Sequence, residues 1–424
     1  MKTPIFQPKL FTCFKNYTSK DLVQDIIAGI IVAIIALPLS IALAIASGVN
    51  PEQGIYTAIF AGFVIALFGG SKVNISGPTA AFATIVAGIV AKNGLEGLII
   101  ATLLAGVILI LLGLFRLGTL IKYIPKTVTI GFTAGIAVTI VIGQLKDFLG
   151  LSYAPGTHNI ETIEKITNVF SNISTTNLLA LLVGAVSVII MVVWAKFFKK
   201  VPASLVVVIL GALVVGLANM SVLTIGDAYP INSSLPKFSF PAINLELVLS
   251  LLPDAFTIAI LAAIESLLSC VVSDNMINDT HNPNTELIAQ GLGNICSGLF
   301  GGIPATGAIA RTTANIKNGG KTPISGMVHA LVLFIVLLVL MPYAALIPMP
   351  VIASILFIVA YNMSEWRSFV KIIKTKNVID IIILVLTFVL TVVFDLVVAI
   401  ITALILHYLI VLVKTLIAKK KQQN

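Results

Sequence analysis

The chain has 424 residues, of which 58% are hydrophobic and only 10% charged, with a mean hydropathy of +1.10 and a formal net charge of +9. Water-soluble domains carry about 25% charged residues, so this composition excludes a water-facing globule and makes lipid the solvent. The basic balance is no nucleic-acid footprint, because the cations sit in the connections between apolar runs.

Residues 1–24 form a cytoplasmic N-terminal segment with Lys2, Lys9, Lys15 and Lys20 and no apolar stretch of the kind a cleavable signal needs. Apolar runs follow near 25–47, 52–69, 78–92, 95–114, 126–148, 174–197 and 202–219. A polar connection spans 220–249, and further runs lie near 250–272, 284–300, 306–318, 323–341, 344–361, 377–393 and 396–415. Unpaired backbone is not tolerated in hydrocarbon, so all of these are predicted helical, giving an all-α polytopic membrane protein of about 14 transmembrane segments. The reading divides the chain into a first repeat (25–219, segments 1–7), an extracellular connection (220–249), a second repeat (250–415, segments 8–14) and a basic cytoplasmic tail (416–424). The other long outside connection, 149–173, has a helical-looking stretch from Ile160 to Phe170 that reads as a solvated loop rather than a lid.

With the N-terminus inside, 21 Lys and Arg residues fall on the inner side and four, Lys92, Lys146, Lys165 and Lys237, on the outer. A miscounted span would invert every later connection, so the asymmetry supports both the count and two cytoplasmic termini in an inner membrane.

Leu67-Phe68-Gly69-Gly70 ends the second run and Leu299-Phe300-Gly301-Gly302 the ninth, 232 residues later. A short extended stretch, a proline and a small-residue helix follow each. Seven spans per copy is an odd number, so the copies sit in opposite orientation, a 7+7 inverted repeat. Segments 3 and 10 are predicted as half-helices whose starts, at Thr79 and Ala308, face each other. Pro78 suits a first helical turn, and Gly77 and Gly307 let the backbone approach a ligand. Two helix N-termini with unpaired N–H groups make an anion site. The plainer alternative is two poorly hydrophobic spans packed through small residues.

Ionisable groups at membrane depth are expensive and mark function. Glu265, in IAILAAIESLLSCVV, has Ser269 one turn later on the same face. It is read as the site of a coupling H+ or Na+, or else as a structural acid paired with Arg311. Arg311 either contacts the anion, neutralises Glu265 or snorkels toward Lys317. Asp254, His329, His407 and Asp395 are given no transport role, and Asp395 is read as a helix cap. Cys13, Cys270 and Cys296 form neither a disulfide framework nor a zinc site. No nucleotide loop, metal cluster or nucleophile–base pair points to an enzyme. No cofactor or fixed metal is expected beyond a coupling ion near Glu265.

The stretches ALPLSIALAIASGVNPEQGIYTAIFAG, GGSKVNISGPTAAF, AAIESLLSCVVSDNM, NTELIAQGLGNICSGLFGGIPATGAIARTTANI and YNMSEW resemble the bacterial sulfate permease (SulP) family of anion transporters, from about Asp21 to Lys414. The resemblance implies a core domain (segments 1–4 and 8–11) moving against a gate domain (5–7 and 12–14), and a homodimer. It implies a substrate site of Leu39, Leu43, Thr79, Gly307, Ala308, Ile309, Ala310 and Arg311, with Glu265 at the cation-coupling position. Family members usually carry a cytoplasmic STAS domain after the last span; this sequence stops at Asn424, so a membrane domain alone is expected. Leu39 stands where some relatives have a polar residue, which makes one wall of the pocket more apolar.

The expected function is secondary active transport of sulfate or bicarbonate by H+ or Na+ symport, with dicarboxylate, nitrate or chloride as other cargo. A nucleobase permease of the same fold plan and a passive anion channel are the rivals. Topology is directly testable: in a cysteine-free background, Lys237→Cys should react with a membrane-impermeant maleimide in intact cells, and Lys371→Cys only after permeabilisation. The opposite pattern would overturn the orientation.

Overall fold

Asn50-Pro51 and Asn282-Pro283 each start a helix, and the two pairs are again 232 residues apart. Proline needs no N–H at the first helical position, and asparagine is a preferred N-cap. The Asn282 side chain accepts from the amides of Asn284 and Thr285, both at 3.2 Å. These helices, Pro51–Phe68 and Pro283–Leu299, are the second members of the two repeats.

The computed structural model describes residues 6–14, 17–119, 125–154, 157, 159–198, 201–231, 233, 235–242, 244–375, 377–394, 398–399 and 401–410. In chain order the helices are α1 (Lys9–Cys13), α2 (Ser19–Ala46), α3 (Pro51–Phe68), α4 (Ala83–Leu114), α5 (Lys126–Leu149), α6 (Thr162–Ser171), α7 (Leu178–Phe197), α8 (Ala203–Leu217) and α9 (Ile225–Ala228). They continue with α10 (Leu245–Ile277), α11 (Pro283–Leu299), α12 (Ile309–Lys317), α13 (Ile324–Leu340), α14 (Met349–Met363), α15 (Trp366–Lys374), α16 (Val378–Val393) and α17 (Ile401–Ile410). A 3-10 turn, Ala80–Phe82, leads into α4. Two strands of two residues, β1 (Ser76–Gly77) and β2 (Thr306–Gly307), pair antiparallel.

Eight helical stretches among the described residues are long and apolar enough to cross a membrane, and α8, α16 and α17 are shorter apolar helices. The predicted third and fourth segments are continuous except at Gly94, whose backbone (φ 64°, ψ −169°) is non-helical. Only glycine takes that conformation without strain. The tenth segment is the short helix α12. Asp395 and the tail from 411 lie outside the described residues, as do Lys2, Lys15, Lys122, Lys199, Lys200 and Lys376.

Helices α2, α3, α4, α10, α11, α12 and α13 pack into one group, and α5, α7, α8, α14, α15 and α16 into another. The groups meet where α2 touches α14 and α8 and where the 3-10 turn touches α5. In the first group α4 lies almost backbone to backbone on α11. A Cβ on Gly106 would sit 2.7 Å from the Gly291 carbonyl oxygen, and one on Gly291 would sit 2.5 Å from that of Gly106. Small residues that let helices approach are the usual membrane solution. The Ile160–Phe170 stretch is more than a solvated loop: it forms α6, which touches α5 and α16 and buries Val169, while Ile163 and Ile166 stay exposed.

The repeats grip each other at their Gly-Gly corners. The Asn282 N–H donates to the Gly70 carbonyl at 2.9 Å, and Gln53 Nε2 to the Gly301 carbonyl at 3.0 Å. The buried carboxylate of Glu286 accepts from the Gly70 amide (2.8 Å), Asn74 Nδ2 (2.8 Å) and Gln290 Nε2 (3.0 Å). A fully buried acceptor with three donors is costly to remove, since each orphaned donor costs about 1–3 kcal/mol. Glu286→Ala should therefore lower the unfolding temperature in detergent strongly, with a loss of about 3 kcal/mol or more. Glu286→Gln, which keeps one acceptor oxygen, should lose less. Equal melting of wild type and Glu286→Ala would contradict this role.

Candidate functional site

In β1 and β2, Ser76 pairs with Gly307 and Gly77 with Thr306. Because the pairing is antiparallel, the helices that follow leave in opposite directions. Both N-terminal ends therefore meet at the strand pair, as the repeat predicted. The N-cap positions are Thr79 and Ala308, and neither contributes a side-chain cap. Alanine cannot cap, and the Thr79 hydroxyl instead donates to Glu265 Oε2 at 2.9 Å. The first N–H groups of a helix have no partner within it, so both ends present donors to a common gap.

Arg311, the third residue of α12, is almost fully buried. It does not snorkel toward Lys317. Its guanidinium turns back across the strand pair, where Nη2 donates to the Pro78 carbonyl (3.1 Å) and lies 3.4 Å from Ser40 Oγ. Nε and Nη1 have no hydrogen-bond partner. Gly77 makes this possible, since a Cβ there would fall 2.4 Å from Nη1. Gly307 is equally constrained, with a Cβ meeting Asn74 Nδ2 at 2.6 Å.

Glu265 lies on α10, half-buried, and no ion pair within 4 Å joins it to Arg311 or any other described cation. The reading of Glu265 as an acid neutralised by Arg311 therefore fails on geometry. The Ser269 hydroxyl bonds elsewhere. It donates to Asn74 Oδ1 (2.7 Å) and lies 3.2 Å from Thr312 Oγ1, inside the packed interior. One helical turn separates an open carboxylate from a hydroxyl locked into the frame.

The other expected residues divide by exposure. Thr79 and Ala308 are half-buried, and Ile309 and Ala310 are exposed, so the start of α12 is accessible in front of the buried Arg311. Leu39 is half-buried and Leu43 is buried in the apolar core. Between them, Ser40 is the α2 residue that approaches Arg311. Pro38 lies inside α2 just before it, and a proline frees a backbone carbonyl one turn earlier.

Sequence reasoning missed the frame behind the site. Gln290 Nε2 donates to Ser76 Oγ (3.0 Å), Ser266 Oγ accepts from the Gly307 amide (3.0 Å), and Thr312 Oγ1 accepts from the Ile75 amide (2.9 Å). Asn294 brackets Ala305 through both its amide and its carbonyl. Glu286, Gln290 and Asn294 recur every fourth residue in an otherwise apolar span. That stripe, one face of a helix, was the available signal. Among the described residues no group of His, Cys, Asp and Glu has metal-binding geometry.

The match to known proteins follows this geometry. Residues 22–387 match the model of the sulfate permease family. YvdB of Bacillus subtilis (strain 168), named as a candidate sulfate transporter, is 45% identical over 88% of this chain and 71% of its own length. The bicarbonate transporter BicA of Picosynechococcus sp. (strain ATCC 27264 / PCC 7002 / PR-6) is 37% identical over 77% of this chain, which spans only 59% of that relative. The solved transmembrane domain of a cyanobacterial BicA superposes with a TM-score of 0.81 at 33% identity, covering 91% of this chain and 98% of that one. Murine Slc26a9 shares the fold alone, with a TM-score of 0.86 at 19% identity over 96% of this chain and 71% of its own. The half-helices meeting at an antiparallel strand pair are thus part of a shared architecture, and the chain belongs to the sulfate permease family.

Proposed function

We propose that this chain carries a small inorganic anion across the cytoplasmic membrane by secondary active transport, with sulfate or bicarbonate as cargo and H+ or Na+ as the coupling ion. The observation that carries the reading is the buried Arg311 guanidinium, with Nε and Nη1 unpartnered, behind two helix starts that no side chain caps. Each helix end contributes roughly half a positive charge, and Arg311 adds a full one. The names of the relatives, a candidate sulfate transporter and a bicarbonate transporter, agree with this class of cargo.

Glu265 supplies the coupling. Its carboxylate accepts from Thr79, the residue that begins one of the two helices. An anion bound at that start meets a like charge at short range, and the pair is disfavoured unless Glu265 holds a proton or Na+. The cation and the anion therefore strengthen each other's binding, and the coupling is reciprocal. Ser269 is left out of this scheme, and Leu39 and Ile309 supply apolar wall. The boundaries of the two repeats, 25–219 and 250–415, and the cytoplasmic placement of the termini belong to the same proposal.

Labelled sulfate and bicarbonate should enter proteoliposomes, faster under an inward Na+ or H+ gradient. Absence of uptake of these anions and of nitrate, chloride and dicarboxylates would overturn the proposal. Glu265→Gln should abolish the gradient's effect while anion exchange at zero gradient persists in part; an unchanged gradient dependence would make the carboxylate structural.

Gly77→Ala tests the Arg311 geometry independently. The added methyl would sit 2.4 Å from Nη1, so the guanidinium must shift from its position behind the helix starts. Anion affinity should fall at least tenfold, about 1.4 kcal/mol, with the protein still eluting as a folded species. Unaltered affinity would show that Arg311 is not a binding group.

A further inference from the structure

The second group of helices, away from the candidate anion site, has an opening of its own. An apolar cavity of about 460 Å³ is bounded by α5, α14, α15 and α16. Ala134 and Ala137 of α5 make room for it, while Phe357 and Phe388 form walls. No residue of α2, α3, α10 or α12 lines it. Trp366 and Tyr361 stand at its edge, joined by a hydrogen bond from Trp366 Nε1 to the Tyr361 hydroxyl at 3.0 Å.

The helix at this edge has an unusual pattern. In α15, Arg367, Lys371 and Lys374 recur at i, i+4 and i+7, which places them on one face. All three are exposed, and none makes an ion pair among the described residues. Trp366, Phe369, Val370 and Ile373 follow the complementary spacing, and Phe369 packs on Phe388 of α16 with ring centroids 5.5 Å apart. The sharp corner before α15 puts Glu365 in the left-handed region (φ 44°), so the helix turns off the end of α14 rather than continuing it. The charge asymmetry places this end of α14 at the inner surface.

We propose that this is a binding site for an anionic phospholipid of the inner leaflet, with one acyl chain in the cavity and the phosphate at the Arg367–Lys371–Lys374 stripe. An amphipathic basic helix with aromatic residues at its border is the arrangement that suits the headgroup layer, and anionic lipid supplies the charge the stripe lacks. A chain in the cavity fills space against α5 and α14, the helices that face the 3-10 turn and α2. Occupancy would therefore stiffen the part of the structure against which the anion site moves.

Native mass spectrometry of the protein released from vesicles of phosphatidylglycerol and phosphatidylcholine tests this. The wild type should retain phosphatidylglycerol in preference. Replacing the three cations together (R367Q, K371Q and K374Q) should reduce that preference about fivefold per charge removed, from about 1 kcal/mol per basic residue. Ala137→Phe, which puts a ring on the α5 wall of the cavity, should reduce retention of both lipids. Because the three cations are exposed, that variant remains informative if Ala137→Phe fails to fold. Equal retention of the two lipids by wild type and charge variant would overturn the proposal. So would a lipid-free dimer that dissociates in the variants, since the cavity would then belong to a second copy.

Discussion

Two short strands join the two halves of the chain where the half-helices begin. The pairing of Ser76–Gly77 with Thr306–Gly307 satisfies backbone groups that would otherwise be orphaned in a medium without water. It also lets two half-helices start from one place and leave in opposite directions. Were the register displaced by one residue, Gly77 would no longer lie under Arg311. A side chain would then occupy the space that the guanidinium needs. The proposed anion site is therefore a by-product of how the backbone closes, and the side chains around it serve mainly to keep that closure in place.

Those side chains explain why the interior of an apolar protein is so polar. Asn74 is held by Ser269, Thr312 and Glu286 from three different helices. Gln290, Asn294 and Ser266 hold the chain on either side of the strands. Each such bond is worth only about 1 kcal/mol net, but an unpaired partner in this environment costs more, so the network is retained as a whole or not at all. A frame of that kind suits a body that must move as a unit. The second group of helices has a different character: it meets the first mainly through α2 and the 3-10 turn, with a small contact between α4 and α5, and such an interface is easier to slide than the glycine-mediated seam between α4 and α11.

Periodicity and charge asymmetry made the membrane spans legible, down to the break at Gly94, which separates two segments that the backbone otherwise joins. The LFGG repeat located the strand pair, and Asn50-Pro51 with Asn282-Pro283 would have located it again. The site was legible in part. Thr79 and Ala308 followed from the idea of facing helix starts, and Arg311 from its charge at membrane depth and from the family resemblance. Ser40 did not, because helical spacing from Leu39 and Leu43 cannot say which neighbour a distant guanidinium will reach. Ser269 illustrates the opposite failure. Spacing of four put it on the face of Glu265, but a helix turns about 100° per residue, and one turn along the axis moves a side chain about 6 Å, far enough to leave the accessible gap and enter the frame.

The separation of Glu265 from Arg311 is the feature with the most mechanistic content. In a low-dielectric interior opposite charges attract strongly, and a direct pair would have been an obvious way to lower the cost of burying both. Such a pair would also have consumed the guanidinium donors and the carboxylate together, leaving nothing for an incoming anion or cation to complete. Keeping them apart, with Arg311 turned to Pro78 and Ser40 and Glu265 turned to Thr79, leaves each charge under-compensated in a way that only ligands of opposite sign can relieve. On the proposed function the empty carrier is thus less comfortable than the doubly loaded one, and both are neutral at the site, whereas either singly loaded state carries a net charge that is costly to move through the membrane. A carrier needs that ordering: it permits the rearrangement when both ions are bound or both absent, and resists it when only one would cross.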